Sequence, residues 1–196
     1  MKHFQLSAAA MVAIGLSLSG CSTMSGPSVS ARASEDAFVT VGGAAMYPSR
    51  NIIENAVNSA DHTTLVAAVK AAGLVDTLSG AGPFTVFAPT NAAFAKLPAG
   101  TVETLLQPAN IAMLQSVLTY HVLPGRLTAT DLMARIRAGG GTARLKTVQG
   151  SILTAQMMGN RIMLIDSKGG MSHVTQGNVF QSNGVIHVTD AVSIPG

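Results

Sequence analysis

Apolar residues recur at helical spacing through the first half of the chain and in short β-branched runs through the second. Ile52, Ile53, Ala56 and Val57 form one helical face between Ser49 and Ser59, with Ser49 as the expected cap. Leu65, Val66, Val69 and Ala72 mark a second helix, capped by Asp61 and ended by Gly73. Leu74 to Ser79 is a further turn. Phe84 to Ala88 predicts a buried strand, stopped by Pro89, which has no N–H for a ladder. Thr90 or Asn91 then caps a helix from Ala92 to Leu97, and Phe87 and Phe94 are expected to meet in one core. Thr101 to Leu106 is a short helix with Thr101 at its cap. Ala109 to Val122 is the longest helix, with Ile111, Leu114, Val117, Leu118 and His121 along one side. Thr130-Asp131 starts another that runs to Arg137.

After Gly139-Gly140-Gly141 the pattern changes. The runs Leu145–Val148, Ile152–Ala155, Arg161–Ile165, Ser172–Gln176, Val179–Gln181, Val185–Val188 and Val192–Ile194 read as strands separated by glycine-containing turns. Asn183-Gly184 suits a type I′ hairpin turn, in which both residues take positive φ. Helices come first and strands after, with one early strand at Phe84. That order predicts an α+β domain, helices packed on an antiparallel sheet or sandwich.

Composition narrows the picture. The 196 residues are 47% hydrophobic and 11% charged, which describes a packed globular domain rather than a disordered chain. Aromatics make up 4%, with no Trp, so the core is aliphatic and stacking platforms for bases are scarce. The formal charge of +3 is too small to argue for a nucleic-acid partner.

The N-terminus sets the compartment. Met1-Lys2-His3 precedes an apolar, small-residue run from Leu6 to Leu18, the form of a signal peptide and too short for a permanent span. It ends in Leu18-Ser19-Gly20-Cys21, which resembles the bacterial lipobox. An incidental cysteine after an ordinary secretory signal is the alternative. Cys21 is the chain's one cysteine and forms no internal disulfide. The expected organisation is a lipoprotein signal peptide over 1–20, a flexible tether over 21–46 and a folded domain over 47–196. Ser22 follows the cysteine where Asp would favour the inner membrane, so by that resemblance the outer membrane is the expected site, facing the periplasm or the outside.

Three segments together resemble the fasciclin (FAS1) domain. They are Thr85-Val86-Phe87-Ala88-Pro89-Thr90-Asn91-Ala92-Ala93-Phe94, then Leu118-Thr119-Tyr120-His121-Val122-Leu123-Pro124-Gly125, then Ser182-Asn183-Gly184-Val185-Ile186-His187-Val188-Thr189-Asp190-Ala191-Val192. The resemblance covers about residues 48–196. It implies a helix-decorated β-sandwich or wedge and a role in adhesion or surface binding rather than catalysis. Animal adhesive members carry an Asp-Ile pair where this chain has Asn178-Val179, so their integrin-type recognition is not carried over.

Candidate chemistry is thin. His121, after Tyr120, is expected to bond to backbone, with the helix C-terminus favouring its proton, or else to make a polar contact for a partner. His187 is expected to bond Asp190 or a neighbouring loop. Thr90, Asn91, Asn183 and Gly184 have local structural jobs. His62, His121, His173 and His187 show no metal-ligand spacing, and no cofactor is expected. Ser172 and His173 point to opposite faces of a strand. There is no Gly-x-Ser-x-Gly and no P-loop. From Arg126 to Lys146, Arg126, Arg135, Arg137, Arg144 and Lys146 face one acid, Asp131, a polarity suited to anionic lipid or acidic polysaccharide. The expected function is a non-catalytic envelope lipoprotein, anchored through Cys21, that binds surface polysaccharide, anionic lipid or another envelope protein. A periplasmic small-ligand or glycan-binding protein with weak hydrolase activity is the alternative.

Overall fold

The computed structural model describes residues 38–196. The signal segment, Cys21 and most of the expected tether lie outside the described residues. The last part of that tether is folded, however. β1 (Val39–Val41) and β2 (Ala44–Met46) form an antiparallel hairpin whose Val41 and Met46 enter the core. Strands of three residues are too short to leave a readable period.

The helices follow. α1 (Ile52–Ala56) is capped by Asn51, not Ser49: the Asn51 side chain accepts from the Glu54 N–H and Glu54 accepts from the Asn51 N–H. α2 (Thr63–Ala71) ends at Gly73, whose φ of +65° suits glycine. α3 (Val75–Ser79) leads to the central strand β3 (Phe84–Pro89). Then come α4 (Asn91–Ala95), α5 (Thr101–Leu105) and α6 (Ile111–Tyr120). Gly100, with φ +80°, holds the cap position of α5 expected of Thr101. The segment after α6 leaves the helix and becomes β4 (Val122–Pro124), which pairs with β3. α7 (Ala129–Ala138) starts one residue before the expected Thr130, on a Thr128–Asp131 capping box.

β5 (Thr142–Lys146), β6 (Ile152–Met158) and β7 (Arg161–Ile165) form a meander. β8 (Met171–Gln181) is one long strand where two runs were expected, broken in register between Val174 and Val179. Within that irregular stretch Asn178 takes φ +59°, a conformation asparagine tolerates. β9 (Gly184–Thr189) completes a seven-stranded sheet in the order β4-β3-β9-β8-β7-β6-β5. Val192–Ile194 is not a strand. β3 and β9 run parallel, the exception in an otherwise antiparallel sheet. The two ends of the sheet approach each other: the Val148 N–H donates to the Val122 carbonyl at 2.8 Å, so the sheet is a wedge close to a barrel.

Alternation along β3 splits the interior in two. Val86 and Ala88 pack with Phe94, Leu65, Val69, Leu118 and Ile186 beneath the helices. Phe87 points the other way, into a cluster with Tyr120, Leu132, Ile136, Leu153 and Leu164 that α7 closes. Phe87 and Phe94 therefore occupy different cores, against the expectation that they share one. Neighbouring strand residues face opposite sides, and Val86 and Ala88, not Phe87, share Phe94's side.

Candidate functional site

The three motif segments supply adjacent strands: β3 from the first pairs with β4 from the second and with β9 from the third. Thr90 caps α4, accepting from the Ala93 N–H at 3.2 Å. Asn91 reaches another element: its Oδ1 accepts from the Thr64 N–H at 3.0 Å, and its Nδ2 donates to the Ala60 carbonyl at 2.8 Å. It thus serves the N-terminus of α2, which has no capping side chain of its own. Asp61, the expected cap, makes no such bond; it lies in the short turn before α2.

Asn183 sits in the β8–β9 hairpin and is buried. Its Oδ1 accepts from the Ile52 N–H at 3.0 Å; its Nδ2 donates to the carbonyls of Leu78 at 2.8 Å and Gly80 at 2.9 Å. Gln181 pairs with Gly184, so the two-residue loop is Ser182-Asn183, and neither Asn183 nor Gly184 has positive φ. The type I′ turn expected there is not formed. Gly184 is needed for a different reason: a Cβ on it would collide with the Phe84 carbonyl oxygen of the parallel neighbour.

Tyr120 and His121 are both buried at the end of α6. The Tyr120 hydroxyl donates to the Ile152 carbonyl at 2.9 Å and accepts from the Ser167 N–H at 3.2 Å; burial pushes its pKa up. His121 Nδ1–H donates to the Val117 carbonyl at 2.8 Å, and Nε2 accepts from the Ser193 N–H at 3.0 Å. Those partners define a neutral imidazole, and burial lowers its pKa. The expected support of its proton by the helix end is outweighed. His187 is also neutral: Nε2–H donates to the Leu127 carbonyl at 2.8 Å, Nδ1 faces the Asn178 N–H at 3.4 Å, and burial lowers its pKa. Its partner is the loop before α7, not Asp190. Asp190 instead accepts from the His173 N–H at 2.7 Å and lies 3.8 Å from Lys96 Nζ. Partial burial raises the Asp190 pKa, but the His173 N–H and the Lys96 charge outweigh it and the net shift is downward.

The basic residues are arranged differently. Arg126 donates to the carbonyls of Gln181 at 3.0 Å and Ser182 at 3.3 Å. Arg135 and Arg137 are exposed on the last turn of α7. Arg144 and Lys146 are exposed on β5, whose Ala143 and Leu145 pack in the same cluster as Leu132 and Ile136 of α7. Among the described residues, none of Arg135, Arg137, Arg144 and Lys146 makes an ion pair within 4 Å.

A narrow apolar crevice, with a cavity volume of about 40 Å³, lies between α1–α3 and the sheet, lined by Ile52, Leu65, Val69, Val86 and Ile186. His62 lines it too. Its Nδ1 is 2.8 Å from Ser59 Oγ, while Nε2 is buried without a hydrogen-bond partner, and burial lowers its pKa. Among the described residues no carboxylate lines this crevice. Its lining comes from many separate elements, so no sequence motif announces it.

The model of the fasciclin domain matches residues 60–195. The chain belongs to the fasciclin domain family. It is 46% identical over 155 residues to protein sll1483 of Synechocystis, covering 79% of each chain. It is 38% identical over 145 residues to the immunogenic protein MPB70 of Mycobacterium bovis, covering 71% of this chain and 66% of that one. It is 40% identical over 122 residues to the cell surface glycolipoprotein MPB83 of Mycobacterium bovis, covering 62% of this chain and 48% of that protein. Among solved structures, a FAS1 domain pair from the insect cell adhesion molecule fasciclin I superposes with a TM-score of 0.66 at 20% identity, over 74% of this chain and 51% of the pair, which establishes the shared fold. In this fasciclin chain the β1–β2 hairpin lies upstream of the matched segment.

Proposed function

We propose that this fasciclin protein is a non-catalytic envelope lipoprotein that binds other surface components, held by a lipid on Cys21 at the outer membrane. The observation that carries the binding role is the contrast between its two sets of polar groups. Tyr120, His121, His187 and Asn183 spend their hydrogen bonds inside the domain. Arg135, Arg137, Arg144 and Lys146 stand exposed around one helix–strand unit. A cationic surface of this kind recruits anionic polysaccharide or lipid headgroups with strong salt dependence. The surface-associated relatives support the same setting.

The full chain, purified in detergent, is incubated with acidic surface polysaccharide and with vesicles containing anionic lipid at low and moderate salt. Saturable, salt-sensitive binding is expected, weakened and with a flatter salt response when Arg135, Arg137 and Arg144 are replaced by Gln. Equal binding by that triple variant rejects the cationic surface. A small-ligand reading rests on the crevice beside His62; displacement of an apolar dye from the chain, with no envelope binding, would favour it.

A further inference from the structure

The outer face of β6–β8, turned away from both cores, carries a group of residues that packing does not explain. Leu153, Ala155, Ile162, Leu164, Ser172 and Val174 point inward. Met158, Met163 and His173 alternate with them and point outward. Met163 pairs with His173 across β7–β8, and Met158 pairs with Arg161, two residues from Met163. The side chains of Met158 and His173 lean toward each other over β7: Met158 Sδ lies 3.4 Å from His173 Nε2. Met158 is 59% exposed, so burial does not hold it there. On the far side of the ring, His173 Nδ1 is 3.3 Å from Asp190 Oδ2, and the same carboxylate accepts from the His173 N–H.

This is the arrangement of a metal-ligating histidine. A carboxylate on Nδ1–H fixes the tautomer and turns the Nε2 lone pair outward. With the proton on Nδ1, the Nε2 lone pair faces the Met158 thioether. Metal–nitrogen and metal–sulfur bonds of about 2.0 and 2.3 Å at a tetrahedral angle span about 3.5 Å, close to the separation found. Among the described residues no three His, Cys, Asp or Glu side chains gather to hold a metal ion. Thioether sulfur belongs to a softer ligand class, which selects Cu(I).

We propose that His173 Nε2 and Met158 Sδ, with Met163 as the third ligand, form a binding site for Cu(I). Ag(I), a soft monovalent ion stable in air, is the probe. The full chain is used in a Cys21→Ser background, which removes its one thiol, with its methionine methyl groups labelled for NMR. One equivalent of Ag(I) is expected to move the Met158 and Met163 methyl signals and leave Met113, exposed on α6, in place. Met158→Leu and His173→Gln are each expected to weaken Ag(I), and Cu(I) under anaerobic competition, at least tenfold; Met113→Leu is expected to change nothing. Met158→Leu alters an exposed side chain, so it reports even if His173→Gln disturbs Asp190. Unmoved Met158 and Met163 signals, or a Met158→Leu chain that binds as tightly as its parent, overturn the site.

Discussion

Three histidines, His62, His121 and His187, are buried and have lowered pKa values, each chiefly because burial penalises the imidazolium. When the chain unfolds, each returns to an ordinary value near 6.5. The unfolded state therefore takes up protons first as the pH falls. The histidine contribution is full above about pH 6.5 and is lost as the pH drops toward the folded values. Each proton taken up preferentially by the unfolded chain adds about 1.4 kcal/mol per pH unit to the slope. The urea midpoint is expected to fall steeply between about pH 6.5 and 5. A flat midpoint across that window would mean the three rings are protonated in the fold. Tyr120 and His121 have a structural reason to stand where they do. A buried hydroxyl and a buried imidazole must each find partners, and here the backbone at Ile152, Ser167, Val117 and Ser193 supplies them.

At the scale of elements, short helices depend on side chains from elsewhere. α1, α3 and α4 have five residues each, below the length at which a helix stands without tertiary support. Asn183 ties α1 and the end of α3 to the β8–β9 hairpin through three bonds. Asn183→Ala leaves the Ile52 N–H and two carbonyls unpaired, two of those bonds being buried, and is expected to cost about 2–4 kcal/mol in urea denaturation. Asn183→Asp sets a carboxylate oxygen against the Leu78 and Gly80 carbonyls in a buried site, so a loss at least as large is expected at neutral pH, easing as the carboxyl protonates at low pH. Equal stability of Asn183→Ala and the parent would show that water replaces these bonds. The local cap at Thr90 was legible because a cap acts within three residues. The caps supplied by Asn91 and Asn183 were not, since they join positions 27 and 131 residues apart.

For the whole molecule, the sheet divides two interiors and joins them through β3 and β9. Phe87 lies wholly buried in one, and Phe94 in the other. Phe87→Ala and Phe94→Ala are each expected to cost about 3–5 kcal/mol. Because the clusters are separate, their effects should add within about 0.5 kcal/mol in a double-mutant cycle. A coupling above about 1 kcal/mol would show that the two interiors respond as one. A single unfolding transition is expected throughout, since the strands that divide the interiors are the ones that bind them together.

Local chemistry determined much of this protein. Helical spacing, Pro89, the Thr90 cap and the β-branched runs gave most helices, the strand meander and the α+β class, because each acts over a few residues. The three motif segments gave the family. Tertiary structure decided the rest. The parallel β3–β9 pairing, β4 after the last turn of α6 and the opposite facing of Phe87 and Phe94 follow from which strands meet, and pairing across more than 90 residues leaves no local period. The same holds for the crevice at His62 and for the meeting of Met158, Met163 and His173. Met158 and Met163 are unremarked in their own runs, and only the sheet register brings their side chains onto one face with His173.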